Sequence, residues 1–181
     1  DALVSVHETD QPVVFAAGLY HLFTHVVRLG YVVSSSMEPT LQVGDYYLLR
    51  LDAYRHRAPR RGEIIVFAGQ DGEPYIKRVI GLPGEDVAIR EGVVYIDGRP
   101  LPEPYLKERP QPEWPLRGQV PPNRYVVLGD NRNYSFDSRD SGYVPREAIV
   151  GQATAVIWPR AHARSLLPEA RAQTKASPPP D

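Results

Sequence analysis

Apolar residues along this chain fall into short runs broken by Gly, Pro, Asn and Asp, and sustained helical periodicity is absent until the carboxy-terminal end. Runs of this length and spacing read as strands. They are Tyr31 to Val33, Tyr46 to Leu51, Glu63 to Phe67, Tyr75 to Ile80, Asp86 to Arg90, Val93 to Asp97, Arg124 to Leu128 and Ile149 to Trp158. Their spacing predicts an all-β domain, a meander or a barrel. Glu91-Gly92 and Asp97-Gly98 bracket one run with residues that accept positive φ, so a hairpin is expected there.

Two stretches read as loops. Asp52 to Arg61 gathers Arg55, His56, Arg57, Arg60 and Arg61 into a basic segment, a solvated face that near a membrane would also favour anionic headgroups. Lys107 to Asn123 is rich in proline, which cannot donate to a ladder, and is expected to stay unpaired. Residues 161–181 read as a tail, a frayed helix from Ala163 onward that passes into disorder.

Before the first run, Gln11 to Val27 carries no formal charge, but it contains Pro12, Gly18, His21, Thr24 and His25 and is followed by Arg28. As a helix this stretch would span roughly 26 Å. A bilayer core calls for about 20 mostly apolar residues. Residues 1–28 are therefore an apolar or amphipathic helical segment, the remnant or equivalent of a membrane anchor, with an interfacial helix as the other reading. His21 and His25 would share a helix face, yet no Glu follows His21 as a zinc protease motif requires, so no metal is expected. The chain opens on Asp1 and its single methionine is Met37, so an initiator methionine or a longer leading segment is expected to precede it.

Composition narrows the chemistry. With 181 residues, 42% of them hydrophobic, the chain can bury the core of one domain. A formal net charge of -1 supplies no field for nucleic acid. The absence of cysteine excludes disulfides, thiol catalysis, zinc knuckles and iron–sulfur sites. Basic charge is carried almost wholly by Arg, so chemistry that needs a titratable amine is confined to Lys77, Lys107 and Lys175.

Three segments carry candidate chemistry. Ser34-Ser35-Ser36-Met37-Glu38-Pro39-Thr40-Leu41 follows an apolar run directly, and Pro39 holds Glu38 extended, which places the serines on a tight, exposed crossing. Alone it is ordinary turn chemistry. In Tyr75-Ile76-Lys77-Arg78-Val79-Ile80, strand alternation puts Lys77 on one face with Tyr75 and Val79. If that face is covered, desolvation lowers the amine's pKa and makes it a general base; otherwise Lys77 is a snorkelling edge lysine. The dense polar loop from Gly129 to Gly142 follows an apolar strand, and within it Asp137 and Arg139 can pair while Ser135 can orient a neighbour.

Together these segments resemble bacterial type I signal peptidases, membrane-bound serine proteases that use a Ser–Lys dyad to remove signal peptides. The resemblance runs from about Tyr31 to Trp158 through the boxes Ser34 to Leu41, Gly44-Asp45, Arg61 to Phe67, Tyr75 to Gly84 and Gly129 to Arg139. It implies an antiparallel, barrel-like catalytic domain at residues 29–160, in the compact form without a large insertion between Lys77 and Ser135. It implies Ser36 as nucleophile, Lys77 as general base and an oxyanion hole from the Ser36 backbone and the Ser34 hydroxyl. Ser135 would orient the lysine, and Asp130, Asp137 and Arg139 would support the site. Tyr31, Val32, Val33 and Met37 would form an exposed apolar edge toward the bilayer and the substrate.

The implied partners are signal peptides with small residues in an A-x-A-like pattern and the lipid bilayer surface, and no metal or organic cofactor is needed. The implied location is the cell membrane, with the catalytic domain on the extracytoplasmic side. Three other readings fit these residues less well. A self-cleaving repressor-type protease would need a DNA-binding domain for which the chain has no room. A Ser–His variant lacks a histidine near the base position. A silent paralogue that binds peptides would not need Ser36, Lys77 and Ser135 together.

Overall fold

The computed structural model describes residues 16, 18, 20, 26–111 and 116–168. The expectations for His21, His25 and the chain beyond residue 168 lie outside the described residues. Among the described residues twelve strands form in the order β1 (Val27–Tyr31), β2 (Tyr46–Arg50), β3 (Ile64–Ala68), β4 (Pro74–Gly81), β5 (Asp86–Arg90), β6 (Val93–Ile96), β7 (Arg99–Pro100), β8 (Arg117–Gln119), β9 (Arg124–Leu128), β10 (Val144–Pro145), β11 (Ile149–Trp158) and β12 (Arg164–Ser165).

All the described pairings are antiparallel. An eight-stranded sheet runs β1-β2-β11-β3-β4-β9-β10, with β12 on β11, and a four-stranded sheet runs β7-β6-β5-β8. The expected hairpin is β5–β6, and its turn takes the positive φ that Glu91 (50°) and Gly92 (78°) supply. The meander expectation holds only locally, because the long strand β11 returns from the far end of the chain to lie between β2 and β3.

Burial on the two faces follows the pleat. Ile64, Val66 and Ile76 join Val32, Met37, Leu41, Leu49, Val156 and Leu166 on one side of the large sheet, while Ile65, Phe67, Val79 and Val127 join Tyr54, Tyr125 and Val144 on the other. A third cluster around Ile80, Val87, Val94, Val126 and Leu128 ties the small sheet to the large one.

Three expectations are corrected. The first strand lies at Val27–Tyr31 rather than Tyr31 to Val33, because Val32 turns into the core and its backbone bonds to the loop at Gly44 and Asp45. The segment Lys107 to Asn123 is not wholly unpaired: its prolines flank Arg117–Gln119, whose free N–H groups let it pair with β5 as β8. The stretch from Ala163 begins as structure rather than a frayed helix, since Arg164 and Ser165 pair with β11 and Leu166 is captured by the core. Helical periodicity is a local signal, and this long-range burial overrides it.

Candidate active site

Ser34 is extended (φ -133°, ψ 157°) and leads into one 3-10 turn, Ser35–Met37, after which Glu38 is again extended. Met37, fully buried, plugs this turn into the core and fixes the direction of its neighbour Ser36. On β4 the side chain of Lys77 curls over the strand edge, and its Nζ donates to Ser36 Oγ at 2.8 Å and to the carbonyl of Ile76 at 3.0 Å. Ser34 Oγ lies 3.2 Å from Ser36 Oγ. Ser36 and Lys77 are only 6% and 3% exposed, so the contact is made away from water. Burial lowers the Lys77 pKa to about 8, against the pull of Asp137 and Asp130. A neutral amine held against a hydroxyl in this way can accept its proton and activate it as a nucleophile.

The loop after β9 supports the turn from below. Asn131 donates its backbone N–H to Ser36 O and its side-chain amide to Ser35 O, each at 3.0 Å. Asp130 is held by Arg78 through two bonds, Nε at 2.8 Å and Nη2 at 2.6 Å, and accepts from Thr40 Oγ1. Asp137 accepts from Gly129 N, Ser135 Oγ and the Arg139 guanidinium, and it caps the short helix Ser138–Ser141. Gly129 is required at the point of contact: a Cβ there would lie 2.5 Å from Ser36 O and 2.3 Å from Ser135 Oγ.

Of the residues singled out from sequence, Ser34, Ser36 and Lys77 come together, and Asp130, Asp137 and Arg139 form the loop beneath them. Ser135 departs from expectation, for its hydroxyl donates to Asp137 Oδ2 at 2.8 Å and makes no bond to Lys77. The hydroxyl has one proton, and the carboxylate takes it in preference to a neutral amine. The exposed edge is also corrected. Tyr31 and Val33 are exposed, but Val32 (2%) and Met37 (0%) are buried, because the pleat and the 3-10 turn direct them into the core.

Sequence reasoning passed over four supporting residues. Arg78 and Asn131 lie inside the quoted boxes, but one sequence carries no signal that they meet Asp130 and the serine turn. Thr40 bridges to the same carboxylate. Arg164, placed in the tail, donates to the carbonyls of Pro39 and Thr40 just after the turn. No group of three or more His, Asp or Glu side chains that could hold a metal occurs among the described residues.

The dyad stands at an open strand edge. On its β9 side β4 is paired only from Arg78 onward, which leaves Pro74 to Lys77 uncovered by any described strand. Nearby, Tyr31, Tyr46 and Trp158 line up across β1, β2 and β11, all exposed, with the tyrosine rings 4.9 Å apart. No helix among the described residues is long and apolar enough to cross a membrane.

Comparison with known proteins places this geometry. Residues 7–158 match the family described as signal peptidase, peptidase S26. The chain is 45% identical over 144 residues to a probable signal peptidase I-2 of Synechocystis, an alignment covering 75% of this chain and 65% of that protein. It is 44% identical over 156 residues to signal peptidase I of Leptolyngbya laminosa, covering 81% and 75%. With signal peptidase I of Bacillus caldolyticus the identity is 39% over 145 residues, covering 71% and 79%. A crystal structure of a signal peptidase I from Enterococcus faecalis is 36% identical, with a TM-score of 0.49 over 54% of this chain and 98% of that one. The buried serine–lysine pair thus sits within a matched span that takes in the whole supporting loop, and the chain belongs to the signal peptidase family, peptidase S26.

Proposed function

We propose that the protein is a serine endopeptidase that removes amino-terminal signal peptides from exported preproteins, with Ser36 as nucleophile and Lys77 as general base. The observation that carries the roles is the buried 2.8 Å contact between Lys77 Nζ and Ser36 Oγ at an open strand edge. The neutral amine takes the Ser36 proton as Oγ attacks the scissile carbonyl carbon. The oxyanion is held by the Ser36 backbone N–H and the Ser34 hydroxyl, a type of donor worth a few kcal/mol (~3) of barrier. Collapse breaks the C–N bond, the lysine returns its proton to the leaving amine, and the acyl-enzyme ester remains. Water activated by the same amine then hydrolyses the ester and frees the signal peptide as a carboxylate.

The substrate adds as an extended strand to the edge at Pro74 to Lys77, with backbone bonds supplying affinity. Asp130, Asp137 and Arg139 keep the loop rigid, and Ser135 acts on Lys77 through Asp137 rather than directly. Residues 27–168, which include β1, β12 and the core residue Leu166, serve as the catalytic unit, wider than the 29–160 read from sequence, and the segment before them as anchor or interfacial helix. The aromatic row Tyr31, Tyr46 and Trp158, with Val33, faces the bilayer on the extracytoplasmic side.

The test is cleavage of a fluorogenic signal-peptide substrate ending in Ala-x-Ala, in detergent micelles, by the parent chain, Ser36→Ala and Lys77→Ala. Cleavage after the second alanine by the parent, lost in both folded variants, is expected. Turnover by either variant would sink the dyad.

A further inference from the structure

We propose that the aromatic cleft beside Lys77, walled by Phe67, Tyr75 and Phe136, is a subsite for the substrate residue that lies between the two small ones, and that it takes a large aromatic or aliphatic side chain. This rests on the peptidase reading above and deepens it.

A strand added to the edge of β4 shares its pleat, so its side chains alternate between the Ile76 face and the face of Tyr75 and Lys77. On the Ile76 face stand Val32, Met37, Ile64 and Val66, all buried, which leaves room there for small side chains only. The edge is open from Pro74 to Lys77 and closed from Arg78 by β9. Two small residues on that face therefore lie opposite Pro74 and Ile76, with the scissile bond beyond them at Lys77 and Ser36. The intervening residue lies opposite Tyr75 and points to the other face.

That face holds a cleft of about 500 Å³, within the size range of small-ligand sites, which Asp71, Arg124 and Asp140 line along with the aromatic rings. Its rings follow one another, with centroids 5.9 Å apart for Phe67 and Tyr75 and 6.4 Å for Tyr75 and Phe136. Tyr75 is fixed as a wall: its hydroxyl donates to Asp71 at 2.8 Å, and its ring lies so close to Gly69 that a Cβ there would meet it at 2.5 Å. Phe136 is 59% exposed although it sits between Ser135 and the buried Asp137, on a loop held by the Asp137 cap. Lys77 Nζ lies 6.0 Å from the centroid of the Tyr75 ring, so the aromatic wall stands beside the dyad, where offset or edge-on ring contacts to a substrate side chain supply affinity.

The experiment measures kcat and KM for Ala-x-Ala peptides with x as Gly, Leu or Phe, using the parent chain, Phe136→Ala and Tyr134→Ala in detergent micelles. Tyr134 is the control, a ring somewhat more exposed than Phe136 (70%) and outside the cleft. The parent is expected to prefer Phe over Gly by about tenfold in kcat/KM, mainly through KM. Phe136→Ala should bring that ratio near unity, and Tyr134→Ala should retain it. A parent that cuts all three peptides equally, or a preference that survives in Phe136→Ala, overturns the subsite and leaves the peptidase reading standing. Failure of the folded parent to cut any of the peptides overturns the peptidase reading, and the subsite with it.

Discussion

Burial strips water from the Lys77 ammonium and lowers its pKa from 10.5 to about 8, with Asp137 and Asp130 holding back part of the shift. The same shift governs rate and stability. Between about 8 and 10.5 the unfolded chain binds the proton that the folded chain has released, so the Lys77 contribution to stability rises with pH across that window. Below it the folded protein carries a buried cation at a cost on the order of 3 kcal/mol. Lys77→Met is therefore expected to raise the urea midpoint at pH 7 and to lose most of that gain toward pH 10.5, while cleavage disappears. In the parent, kcat/KM should climb with pH through about 8, where the amine becomes neutral. A flat pH–rate profile, or equal urea midpoints for parent and variant at pH 7, contradicts the burial account.

At the scale of elements, the site is an agreement between two loops that meet through Gly129. The serine turn offers its carbonyls, and the loop after β9 offers Asn131 and the Ser135 side chain, with no space left for a methyl group. Gly129 lacks a positive φ, so its requirement is steric rather than conformational. Gly129→Ala should cost roughly 2 kcal/mol by overpacking. It should also depress kcat more than KM, because the displaced group is the turn that carries Ser36. Retention of parental kcat and thermal midpoint would show that the loops can part without consequence. The clasp from β12 works on the same turn, since Arg164 holds the carbonyls of Pro39 and Thr40 while Leu166 anchors the strap in the core.

At the scale of the whole molecule, the open edge of β4 and the exposed row of Tyr31, Tyr46 and Trp158 both lie on the large sheet that also carries the serine turn. Aromatic rings with one apolar and one wet side favour the bilayer interface. Replacing Tyr31, Tyr46 and Trp158 together by Ser is expected to weaken co-sedimentation with lipid vesicles by about tenfold or more. Hydrolysis of a short soluble peptide should persist, because the row lies outside the dyad. Unaltered vesicle binding would show that the row makes no contact with lipid.

Much of this was readable before any fold was known. Short apolar runs bounded by turn residues located the strands from β2 to β6, β9 and β11, and the Glu91-Gly92 pair located a turn, because run length and positive φ are written in neighbouring residues. The ordered boxes around Ser36, Lys77 and Asp130 named the family. The insertion of β11 between β2 and β3 was not readable, nor was the capture of Leu166, nor the inward turn of Val32 and Met37. Each depends on which distant strand covers a given face, and a window of sequence holds no record of that. For the same reason only the tertiary structure decided that Lys77 is dry and touches a serine: its residue type is local, whereas its pKa belongs to everything folded around it.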